Sequence, residues 1–93
     1  MYDKSSIIEV LGCLIKKPEL ILDENYKLDI DDFPEKFHKI VFGSINNLII
    51  NGVKKIDPII IDEFISKYDK QYKIFSDNNG FEYIEKIIEI SSF

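Results

Sequence analysis

His38 is the single imidazole of the chain and Cys13 its single thiol, and two adjacent acid pairs, Asp31-Asp32 and Asp62-Glu63, stand beside them as carboxylate candidates. A histidine can serve as a general base or a metal ligand. Catalysis needs a nucleophile or carboxylate brought to the ring, and a metal site needs more His or Cys than one of each. No metal or cofactor site is therefore expected, and His38 reads as a hydrogen-bonding residue that ties a helix to a neighbouring loop. Adjacent acids on a helix point about 100° apart, so these pairs suit helix starts better than a catalytic dyad. Cys13 reads as an ordinary thiol, since Lys16 and Lys17 are the only positive charges near it in sequence. The chain contains no Gly-Lys-Ser/Thr phosphate loop, so it is not expected to hydrolyse ATP or to be an enzyme.

The elements that would carry these residues are helical. Ser6 and Glu9 have the spacing of a capping box, and Ile7, Ile8, Leu11, Leu14 and Ile15 then recur along one face of a first helix. Gly12 within it lowers helix propensity and so implies close approach of another backbone. Pro18 ends that helix and opens a short turn through Leu22. A polar connector from Asp23 to Asp31 is anchored by Tyr26, Leu28 and Ile30. Asp31-Asp32-Phe33-Pro34-Glu35 then reads as the start of a long helix reaching Asn51, with Phe37, Ile40, Val41, Ile45 and Leu48 on one stripe and Phe42 and Ile49 widening it. Asn51-Gly52 supplies a left-handed stop.

Asp57-Pro58 starts another helix, Asp as cap and Pro at its first position, with Ile60, Ile61, Phe64, Ile65 and Tyr68 on the buried face. Residues 69 to 79 read as a polar loop pinned by Ile74 and Phe75. A last helix begins at Gly80, and its apolar residues spread over two sides: Phe81, Ile84 and Ile88 on one, Tyr83, Ile87 and Ile90 on the other. The expectation is one all-α domain over residues 1–93, a compact orthogonal bundle of about five to six helices.

A chain of 93 residues with a 45% hydrophobic share is the size of one small domain and too apolar to be disordered. Its formal net charge of −5 and the absence of arginine disfavour direct nucleic-acid binding, because phosphate affinity comes mainly from Lys and Arg. Only Lys16-Lys17 and Lys54-Lys55 are adjacent, and they read as solvated helix ends and loops. Charges interrupt every apolar run well before the roughly 20 residues needed to cross a bilayer. With a lone cysteine and no leader pattern, the reading is a cytoplasmic protein.

In order and spacing these phrases resemble the N-terminal domain of DnaB-type replicative helicases, from about Val10 to about Ile90. Val10-Leu11-Gly12 is similar to that family's first-helix phrase. Asp32-Phe33, His38-Lys39 and Phe42 are similar to its central signature, Gly52 with Ile56-Asp57 to its glycine and Ile-Asp turn, and Gly80-Phe81-Glu82-Tyr83-Ile84 to its glycine-to-tyrosine phrase. Pro34 stands where the family often has Tyr, and Asn79 stands for the first of two glycines.

The resemblance implies a helical head in the collar of a hexameric helicase, pairing with copies of itself and receiving a primase or a helicase loader, with the ATPase motor elsewhere. It also implies that the sequence stops short of the helical hairpin that follows the head in this family. Tyr83, Ile87, Ile90 and Phe93 are then the candidate interface residues for self-association. The neighbouring readings are the helicase-binding domain of a primase and a stand-alone phage or bacterial regulator that binds the helicase.

Overall fold

Asp57 shows how closely local chemistry sets the architecture: its carboxylate accepts the Ile60 backbone N–H at 2.8 Å, and Pro58 follows at the first helical position. The start so capped belongs to the third of five helices in a computed structural model that describes residues 4–23 and 28–91. These are α1 (Lys4–Lys16), α2 (Lys36–Ile50), α3 (Pro58–Ile65), α4 (Asp69–Asp77) and α5 (Gly80–Ile90), with 3-10 helices at Pro18–Leu22 and Ile30–Asp32. Among the described residues there is no strand, and the fold is all-helical as the periodicity predicts. The Cα radius of gyration is 12.1 Å, close to the roughly 12 Å of a compact domain this size.

α2 is the centre. Phe37, Val41, Phe42, Ile45, Leu48 and Ile49 are all buried, and they meet α1, α3 and α4 as well as both 3-10 helices. Its end is a Schellman motif: Gly52 N–H donates to the Ile49 carbonyl and Val53 N–H to the Leu48 carbonyl, both at 3.0 Å, with Gly52 at φ +95°. That left-handed step turns the chain towards α3.

α1 and α5 form the most extensive helix pair. Gly12 permits it, because a Cβ there would lie 2.6 Å from Ser91 Cβ and 3.1 Å from the Ile87 carbonyl oxygen. Lys16 Nζ adds a bond to the Ser91 carbonyl at 3.1 Å. Gly80 has a similar reason, since a Cβ there would run into the Phe75 ring, and Phe75 is buried. Asn79 just before it sits at φ +52°, a conformation glycine adopts without strain and asparagine tolerates.

Four local expectations need correction. Helix α1 already includes Lys4 and Ser5, so Ser6 lies inside its first turn rather than at its cap. Asp29 and Asp32, not Asp31-Asp32 ahead of α2, make a reciprocal cap. Asp29 N–H donates to Asp32 Oδ2 at 2.9 Å and Asp31 N–H to Asp29 Oδ1 at 3.5 Å, closing the short 3-10 helix, while α2 starts at Lys36 without a side-chain cap bond. Tyr68 is 48% exposed because α3 ends at Ile65 and the chain turns there. Residues 69–77, read as a loop, form α4: Phe75 inserts beneath Phe37 with centroids 6.1 Å apart, and the Tyr72 hydroxyl donates to Asp62 Oδ1 at 3.0 Å. Tertiary packing overrides the polar composition of that segment. The Tyr26 anchor lies outside the described residues.

Candidate functional site

The residues singled out by sequence fall into two groups, one that builds the helix junctions and one on the outer side of α5. In the first group Phe33 is fully buried and stacks on Phe42, centroids 4.8 Å apart at 28°. Asp32 completes the reciprocal cap that delivers Phe33 to that place. Lys39 joins the same turn to α2, its Nζ donating to the Ile30 carbonyl at 3.4 Å and lying 3.8 Å from Asp31 Oδ1. With Gly12, Gly52, Asp57 and Gly80 already assigned to close contacts, turns and caps, these phrases serve as joints of the fold.

His38 is buried at the start of α2, its Nδ1 3.6 Å from Glu35 Oε2. Its ring lies 5.4 Å from that of Phe37 and 5.9 Å from that of Tyr83, and Tyr83 in turn meets Phe37 edge-on at 4.9 Å. These side chains, with Ile8 and Asn78, line a cavity of about 210 Å3. The Tyr83 hydroxyl is enclosed and has no hydrogen-bond partner among the described residues. Burial, with the negative charge of Glu35 adding to it, pushes the Tyr83 phenol up to about 12. A neutral phenol and an imidazole beside a carboxylate make a polar seam where side chains of α5 and α2 meet. Among the described residues no group of three or more His, Cys, Asp or Glu could hold a metal ion.

The outer side of α5 divides differently from the expectation. Ile87 is 1% exposed and belongs to the core with Ile84, so it cannot meet a partner in the folded chain. Ile90, one turn on, is 53% exposed because it stands to the side of the buried line formed by Gly80, Ile84, Ile87 and, just past the helix, Ser91. Tyr83 is half-buried against Phe37. Phe93 lies outside the described residues. No helix among them is long and apolar enough to cross a membrane.

A further surface was not legible in sequence. Pro18, Glu19 and Lys54 line both of two adjoining depressions, of about 350 Å3 and 620 Å3, between the first 3-10 helix and the segment joining α2 to α3. Lys16, Lys54 and Lys55, read as scattered solvated charges, converge there. Only the fold brings positions 16 and 54 together; their separation in the chain carried no signal.

A family model described as the DnaB-like helicase N-terminal domain matches residues 8–92. The chain is also 46% identical over 92 residues to the SPbeta prophage-derived uncharacterized protein YorI of Bacillus subtilis (strain 168), an overlap that covers 98% of this chain and 18% of that relative. The chain thus spans less than a fifth of the relative's length. No solved structure matches it.

Proposed function

Because the chain belongs to the DnaB-like helicase N-terminal domain family, we propose that it is a non-catalytic interaction and oligomerisation domain of a replicative DNA helicase, working in the cytoplasm. In this reading it contributes to the hexamer collar, pairs with copies of itself, and docks a primase or helicase loader. It does not bind nucleic acid strongly by itself. The single observation that carries the reading is the family match across residues 8–92, nearly the whole chain. The geometry supports it in one further way: the family phrases are spent on joints of the bundle, which leaves exposed side chains to do the binding.

Ile90 and the exposed edge of Tyr83 are the proposed self-association contacts on the described part of α5. Ile90→Asp should leave the folded stability within about 0.5 kcal/mol, as for an ordinary surface change, while lowering the mass seen by sedimentation. Ile87→Asp is unsuitable for this purpose, since a charge at a core position unfolds the domain. A wild-type chain that is monomeric at high concentration refutes the self-association, and affinity capture from the source cell that recovers no helicase, primase or loader subunit refutes the wider reading. The prophage origin in the printed name of the relative favours a second reading, a phage-borne domain that binds a host helicase.

A further inference from the structure

The two adjoining depressions beside the first 3-10 helix form one continuous trough. Its floor is aliphatic, with Ile15, Pro18, Ile56 and Ile88 in one part and Ile49 and Val53 in the other. Its rim carries Lys16, Lys54 and Lys55, in a chain whose formal net charge is −5. Two other cavities among the described residues have the opposite character: one is lined by Asp62 and Glu82, another by Glu35, and neither includes a lysine. Two acids border the trough. Both Glu19 and Asp57 are exposed, Asp57 also accepting the Ile60 amide as the cap of α3, so the three lysines exceed the bordering acids by one.

We propose that this trough receives an acidic amphipathic helix from a partner protein, with apolar side chains on the aliphatic floor and carboxylates against Lys16, Lys54 and Lys55. Leu22, 64% exposed on the rim, is the apolar side chain that such a helix would cover. Helix-in-groove recognition needs this combination of an apolar track and a charged edge. Charge complementarity selects an acidic partner and excludes basic ones. Single-stranded nucleic acid is the other polyanion, and it binds through aromatic platforms on which bases stack; among the described residues no aromatic ring lines either part of the trough. The inference rests on the reading of the chain as an interaction domain and names the surface and partner chemistry.

The test is titration of the 15N-labelled chain with a synthetic helical peptide of about 18 residues, long enough to hold helix in water, bearing Leu at helical spacing and Glu elsewhere. Saturable shifts centred on the amides of Glu19, Lys54 and Lys55 are expected. Lys54→Glu with Lys55→Glu, shown by thermal melting to fold, should weaken binding roughly tenfold, and a peptide with Lys in place of Glu should not bind. Shifts centred on Tyr83 and Ile90, unchanged affinity in the double variant, or equal shifts of the same amides by oligothymidine would each overturn the proposal. If the wild type captures helicase subunits from the source cell and the double variant captures them equally, the trough is refuted while the interaction-domain reading stands.

Discussion

Gly12→Ala probes the close approach of α1 to the end of α5. In an exposed helix interior this change stabilises by about 1 kcal/mol through helix propensity. Here the new methyl would sit 2.6 Å from Ser91 Cβ and 2.7 Å from its Oγ, with the Ile87 carbonyl oxygen at 3.1 Å. The first contact falls about 0.8 Å short of ordinary van der Waals separation, and Ser91 Cβ is fixed to the backbone, so the end of α5 must withdraw from α1. Such overpacking costs about 1–3 kcal/mol, which outweighs the propensity gain in most of its range. The expected result is a net loss of about 1 kcal/mol, a fall in melting temperature of roughly 4–8 °C for a domain of this size, read by circular dichroism. Ser91→Gly removes the nearest obstructing atoms, so a double-mutant cycle should give a coupling of up to about 2 kcal/mol in favour of the pair, the overpacking relieved. A Gly12→Ala chain more stable than wild type by the full propensity gain would refute the close packing of α1 on α5.

Gly80→Ala should destabilise by about 2 kcal/mol in urea titration, because the new methyl runs into the buried Phe75 ring, which must shift within the core. Asp57→Ala should lose about 1 kcal/mol of stability while Asp57→Asn keeps most of it, since either side chain can accept the Ile60 amide. Tyr83→Phe removes an enclosed hydroxyl that has no partner among the described residues, so stability at neutral pH should stay level or rise by up to about 1 kcal/mol. At high pH the same variant separates further. The folded chain holds the Tyr83 proton more tightly than the unfolded one, so both states keep it below pH 10.0, and stability falls between there and about 12 as the unfolded state releases it first. Tyr83→Phe should flatten that fall; the remainder belongs in part to Tyr72, whose phenol is raised by its hydrogen bond to Asp62.

The parts of the fold legible in sequence are those in which one residue type has one local use. Gly52 after a long apolar helix means a left-handed stop, and Asp57 before Pro58 means a capped start; the structure has both. Asp31-Asp32 misled because acids cap 3-10 and α helices with the same chemistry, and only the backbone path shows which one they close. α4 was hidden because Tyr72, Ile74 and Phe75 are too few to mark a helical stripe, and the segment is held by contacts with α2 and α3 rather than by its own propensity. Ile87 and Ile90 lie three positions apart, but the buried line of α5 runs through Gly80, Ile84 and Ile87 to Ser91, and Ile90 stands on its flank; the small residues at its two ends hide that line from a reading of apolar positions alone.

Synthesis of this chain proceeds from the first helix to the last, yet Leu11 and Leu14 of α1 belong to a core that Ile84 and Ile87 of α5 complete. Lys16 and Ser91 are joined across a sequence separation of 75, so at typical translation rates roughly 4–15 s pass between the emergence of one and of the other. For that interval the greasy side of the nascent first helix lacks its final cover. Cells that make this domain must keep the newborn segment from sticking to its neighbours until the last turn arrives.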